Sequence, residues 1–230
     1  PRFMTQCAAG RSMRGAFVAV TSLFFMWGFI TVLVDDMIPR LKEVFELTFL
    51  QAGLVQFAWF AAYGVLSIPG GNLISRIGYQ RGILVGLATA GLGCLLFYPA
   101  GATRMYPLFL LALFVVAGGI TVLQVAANPY ISVLGPDDSA SARLNLSQAL
   151  NSFGTTLAPV VAASFLLGDQ ILGSEAIQAL SDVDRTAYYA SEASAVQVPF
   201  VLLALAFFAL AGVVGLISLP KILGENANRT

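Results

Sequence analysis

Histidine is absent from this 230-residue chain. That gap removes histidine-containing metal sites and every histidine-based catalytic triad. Charge is almost as scarce: Asp, Glu, Lys and Arg make up 10% of the residues, and they balance to zero. A neutral chain offers no basic surface for nucleic acid. There are two cysteines, Cys7 in a polar N-terminal stretch and Cys94 in the middle of an apolar run. That placement argues against a disulfide between them. No metal-ligand cluster and no nucleophile–base spacing is present, so the sequence points to no enzyme and implies no cofactor.

What is present is apolar. Hydrophobic residues make up 58% of the chain and the mean hydropathy is +0.83, far from an ordinary soluble domain. Six runs are long enough to cross a bilayer: about 15–34, 49–73, 83–100, 106–133, 144–167 and 198–219. The first is too long for a signal peptide and lacks a small-residue cleavage site behind it. The second is expected to break at Ser67-Ile68-Pro69-Gly70-Gly71, and a surface helix is expected within 169–197. The expected organisation is an N-terminal tail (1–14), a six-helix transmembrane bundle (15–219) and a C-terminal tail (220–230). Six spans put both termini on one side. Arg2, Arg11, Arg14, Arg76, Arg81, Arg143, Lys221 and Arg229 share that side, against Arg40, Lys42, Arg104 and Arg185 on the other. The positive-inside rule therefore makes both tails cytoplasmic. Gly86, Gly91, Gly93, Gly118, Gly119, Gly212 and Gly215 lie inside spans, where small residues mostly report close helix packing.

The most informative stretch is 121–154, two apolar helical pieces joined by a polar turn. Gln124 and Asn128 are four residues apart, on one side of the first piece; Pro129 is expected to disturb the turn before it. Asn145, Gln148, Asn151 and Thr155 recur every three to four residues along the second. Amides facing lipid would be unsatisfied, so these faces should meet protein or a water-filled cavity. An amide-lined cavity suits a neutral, hydroxyl-rich solute better than an ion. The same amides could instead serve only as hydrogen bonds between helices.

The turn from Gly71 through Arg76 and Gly78 to Arg81 resembles the cytoplasmic signature of the major facilitator superfamily, with Ser75 where that family usually has an acid. Three further segments, FFMWGFITVLVDDMIP (24–39), LQVAANPY (123–130) with the following VLGPDDS, and RLNLSQALNSFG (143–154), are similar to the fucose permease branch, the fucose/galactose/glucose cation symporters. FELTFLQAGLVQ (45–56) matches as well. The likeness covers nearly the whole chain but only the N-terminal half of a family member. It implies an all-α membrane protein, one six-helix bundle of a transporter built from two such bundles.

Carried over, the resemblance puts Asp35 at the position of a membrane-embedded acid required for cation coupling, though a solvated carboxylate at a span end is the plainer reading. Asp36 departs from the family's aliphatic residue and reads as solvated; Val34 replaces a common asparagine. Gln124 stands where the fucose permease has a glutamate and hexose transporters often have glutamine. A glutamine cannot titrate, so Asp35 is left as the sole intramembrane acid. Gln124, Asn128, Gln148 and Asn151 match polar cavity positions and are the candidate substrate residues. Gly71, Arg76, Gly78 and Arg81 are the candidate gating loop. Trp27, Phe24 and Phe25 could stack on a sugar face, although aromatics in a span more often pack or anchor. The implied function is alternating-access transport of a neutral monosaccharide (glucose, galactose or fucose) coupled to a proton or sodium ion. Its setting is the inner (plasma) membrane. The implied partners are the lipid bilayer and a second six-helix bundle, supplied by a missing C-terminal half, a second copy or another subunit. The alternative is a half-length accessory or structural subunit of a larger membrane complex.

Overall fold

The computed structural model describes residues 2–44, 47–103, 105–166 and 174–217. Cys7, the other side chains of the 1–14 stretch, Arg40, Lys42, Arg104 and the 220–230 tail lie outside what is described. The elements are α1 (Arg2–Val44), α2 (Phe49–Ile77), α3 (Tyr79–Thr103), α4 (Tyr106–Val133), a 3-10 turn (Asp137–Ser139), α5 (Ala140–Leu166), α6 (Ser174–Gln178) and α7 (Asp182–Leu216). There is no strand among the described residues. Among the described residues, five stretches are long and apolar enough to cross a membrane: Gly15–Asp36, Phe49–Ile77, Tyr79–Thr103, Tyr106–Val133 and Gln197–Leu216. The fifth span expected from sequence corresponds to α5. At 27 residues it is about 40 Å long, enough to cross a bilayer.

Two local expectations are corrected. The second span does not break at 67–71; α2 runs unbroken through Pro69 to Ile77. Likewise α4 continues through Pro129 to Val133. A proline removes one backbone bond, and neighbouring helices and hydroxyl side chains make such interruptions tolerable in membrane helices. Among the described residues of the segment before the last span, the short α6 is the one separate helix. After the short α6, α7 starts at Asp182 and runs continuously into the span. Ser181 caps it by accepting the Asp184 N–H (3.2 Å), and Asp182 and Asp184 suit the positive end of the helix.

In lipid the hydrophobic effect does not pull helices together, so close packing and hydrogen bonds must do it. α3 packs extensively on α4 and on α7, α2 packs on α4, and α1 packs on α5. Glycines bring α3 and α4 together. A Cβ on Gly86 would lie 2.9 Å from the Gly119 carbonyl oxygen, and one on Gly93 would lie 2.6 Å from the Val116 nitrogen. On the other pair, Gly28 abuts the Asn151 backbone and Gly154 abuts the Phe25 carbonyl. Gly212 has nothing within 4 Å of a built Cβ, so it is no packing contact. Fully buried Phe97 of α3 stacks on Phe200 of α7 (centroids 3.7 Å) and meets Phe109 of α4 edge-on at 5.1 Å. Glutamines pin α7 to α3 near both ends. Gln80 donates to the Val214 and Ile217 carbonyls (2.9 and 2.8 Å), and Gln197 donates to the Tyr98 carbonyl at 3.0 Å.

Candidate substrate and ion site

Asp35 lies at the end of the apolar stretch of α1 and is exposed. Its carboxylate accepts a hydrogen bond from the Gln56 side chain of α2 (3.1 Å). Gln56 is set in place by the start of α2. There Thr48 and Gln51 form a capping box: the Gln51 N–H donates to the Thr48 hydroxyl (3.3 Å), and the Thr48 N–H donates to Gln51 Oε1 (2.9 Å). Tyr106 at the start of α4 donates to the Gln51 carbonyl (2.6 Å), which ties the two helix starts together. Asp36 departs from the expected solvated carboxylate. It is partly buried, and its Oδ2 is buried with no hydrogen-bond partner among the described residues.

On α4, Gln124 and Asn128 are both half-buried, as their spacing requires. Gln124 Nε2 donates to the Tyr63 hydroxyl of α2 (2.9 Å). Asn128 Oδ1 is buried with no partner among the described residues, although the Asn128 backbone carbonyl accepts from the Ser132 hydroxyl at 3.1 Å. A buried acceptor left empty costs its full desolvation, about 1–3 kcal/mol, and is rare outside functional places.

The polar face expected on α5 forms in part. Gln148, Asn151 and Thr155 are half-buried, whereas Asn145 is exposed. Asn151 Nδ2 donates to the Phe24 carbonyl of α1 (2.9 Å), so its amide nitrogen is engaged in joining α1 to α5. Phe24 itself is 1% exposed and packs against Trp27 at 5.9 Å, which removes it as a stacking surface. Phe25 packs between Phe29 (6.0 Å) and Phe153 (5.9 Å). The structure therefore links Asp35 to Gln56 and Gln124 to Tyr63, while Asn151 is turned to α1. Gln56 and Tyr63 were not singled out by sequence reasoning. Seven residues apart, they share one face of an apolar helix, and that polar repeat is the signal that could have found them.

The candidate gating loop is the shortest of turns. Gly78 alone separates α2 from α3, with φ of 86°, a left-handed conformation that glycine adopts without strain. Its N–H donates to the Ile74 carbonyl (2.8 Å). Arg76 and Arg81 are exposed on either side, Gly71 is half-buried in α2, and the Ser75 hydroxyl closes on the Asn72 carbonyl (2.8 Å). At the same pole of the bundle Arg143 ends α4. Its guanidinium donates to the carbonyls of Ile131, Ser132 and Pro136 and to the Ser139 hydroxyl, at 2.6–3.1 Å.

A family profile, the Major Facilitator Superfamily, matches residues 15–221. The chain belongs to the major facilitator superfamily. As a superfamily member it is a multi-pass membrane protein, and its six-helix architecture fits the N-terminal half of the fold. Among curated proteins it is 47% identical over 95% of its length to the glucose/galactose transporter of Brucella abortus, covering 50% of that protein. It is 36% identical over 91% of its length to the L-fucose-proton symporter of Escherichia coli, covering 48% of it. A crystal structure of the superfamily transporter FucP in the outward conformation superposes with a TM-score of 0.84 at 35% identity, over 95% of this chain and 53% of that one. The chain thus spans about half the length of the relatives it matches.

Proposed function

We propose that this bundle is the N-terminal half of a transporter for a neutral monosaccharide, driven by a coupling cation through alternating access. The observation that carries the reading is the buried, empty acceptor of Asn128 one helical turn from Gln124. A sugar hydroxyl would donate to that oxygen and relieve its desolvation. Gln148 lies on the facing helix, and the printed functions of the relatives, glucose/galactose transport and L-fucose-proton symport, fit the same chemistry. Asp35 is the coupling group. Ionised, it accepts from Gln56; with a proton bound, its O–H becomes a donor and that bond must rearrange. Asn151 contributes chiefly by holding α5 against α1, with its Oδ1 left for the solute. The termini are cytoplasmic, Arg76 and Arg81 face the cytoplasm, and Gly71 to Arg81 acts as the gating turn. One bundle supplies one wall of the site, so a second six-helix bundle completes it and rocks against this one.

The test is uptake of radiolabelled glucose, galactose and fucose into proteoliposomes carrying the intact protein, under an imposed proton or sodium gradient. Asp35→Asn is expected to abolish gradient-driven accumulation while sugar counterflow persists. Accumulation unchanged by Asp35→Asn removes the coupling role, and absence of sugar uptake by the wild type removes the transport reading.

A further inference from the structure

An amide can offer a site its N–H or its carbonyl, and which one faces a ligand depends on what holds the other end. Gln124 donates from Nε2 to the Tyr63 hydroxyl. The phenol oxygen is therefore held as an acceptor by a group arriving from α4, and its own O–H is left to donate elsewhere. Tyr63 is in turn fixed by ring contacts on its own helix, 6.4 Å from Trp59 and 6.5 Å from Phe60. Trp59 is 4% exposed, which makes that support rigid.

We propose that Tyr63 is a positioning and specificity-determining residue: by holding the Gln124 nitrogen it leaves Gln124 Oε1 as the acceptor for one hydroxyl of the substrate. The inference rests on the sugar-transport reading. A substrate hydroxyl at that point must donate, so an analogue with fluorine in its place, which cannot donate, is discriminated against. Without the Tyr63 hydroxyl the Gln124 amide is free to turn over and offer its N–H instead. The discrimination then collapses while the turnover number stays.

The experiment measures KM and kcat for sugar and for its singly deoxyfluorinated analogues, in proteoliposomes holding the intact protein. Wild type, Tyr63→Phe, Gln124→Ala and the double variant are compared. For one analogue, wild type is expected to show about a tenfold higher KM than for the parent sugar, a difference of the size of one hydrogen bond. Tyr63→Phe should bring that ratio to about two or less with kcat within about twofold, and should add nothing in the Gln124→Ala background. Tyr63→Gln, whose carbonyl can still accept from Gln124, should retain most of the discrimination, and it carries the test if the phenylalanine variant does not reach the membrane. A ratio unchanged in Tyr63→Phe, or lost equally in Tyr63→Gln, overturns the proposal with sugar transport intact. A wild type that takes up no sugar overturns the transport reading and this inference with it.

Discussion

The helix contacts make a sharp prediction at two glycines. A Cβ on Gly119 would lie 2.3 Å from the Ala90 nitrogen, 2.7 Å from the Gly86 carbonyl oxygen and 2.8 Å from the Ala90 Cα, where ordinary contact begins at 3.4 Å. All three obstacles are backbone, so no side chain can swing aside; α3 and α4 must separate by about 1.1 Å, taken as 3.4 minus 2.3. Separation also loosens the neighbouring contacts at Gly86 and Gly93, and overpacking of a tight core costs about 1–3 kcal/mol. We place Gly119→Ala in the upper part of that range. With about 2–4 °C lost per kcal/mol for a chain of this size, the melting temperature should fall by roughly 4–12 °C. Gly212→Ala is the matched control. Nothing lies within 4 Å of its Cβ, and alanine is the better helix former by about 0.8–1 kcal/mol. Its melting temperature should hold or rise. The assay is thermal unfolding in one detergent, followed by intrinsic fluorescence for both variants. Equal losses at the two positions, or no loss at Gly119, would refute the claim that backbone proximity sets the α3–α4 contact.

Two further predictions concern polar side chains. Gln80→Ala removes both donors to the Val214 and Ile217 carbonyls; it should cost about 1–3 kcal/mol, and hydrogen exchange should quicken in the last turn of α7. Protection there equal to wild type would mean the clasp adds nothing. Arg143→Lys keeps the charge but lacks the planar fork that bonds three carbonyls and a hydroxyl at once. Limited proteolysis should then cut within 134–139 several-fold faster, and an unchanged rate would count against the arginine as the cap of α4.

Much of the architecture was legible because lipid imposes long apolar runs and sequence displays them directly. The places where expectation slipped share a cause. Pro69 and the glycines after it look like a break in a linear reading, yet they sit inside a continuous helix, since packed neighbours absorb a lost backbone bond. The Ser181 cap and the acidic first turn of α7 are plain in sequence, but that the helix then runs on into the span depends on 182–197 having no breaker, a weak negative signal. At the site, spacing placed Gln124 and Asn128 on one side of α4. It could not say that Gln124 reaches Tyr63 across 61 positions or that Asp35 reaches Gln56 across 21. Nor could it separate Asn151 as cavity residue from Asn151 as a bond to α1, because both uses need the same residue on the same face.

The distribution of packing explains where the candidate residues stand. α2, α4, α3 and α7 form a chain of well-packed neighbours, and α1 with α5 forms a second closely packed pair. Between the groups, α1 touches α2 little and α4 touches α5 modestly. Asp35, Gln148 and Asn151 belong to the pair; Gln56, Tyr63, Gln124 and Asn128 belong to the chain of four. The Asp35–Gln56 bond therefore crosses the sparser seam. Glycine contacts against backbone resist movement within each group, whereas side-chain hydrogen bonds across the seam can be exchanged for others of similar energy. On the proposed reading, a sugar or cation between the groups competes for those very bonds. The helices stay rigid while the polar contacts between them answer to the ligand.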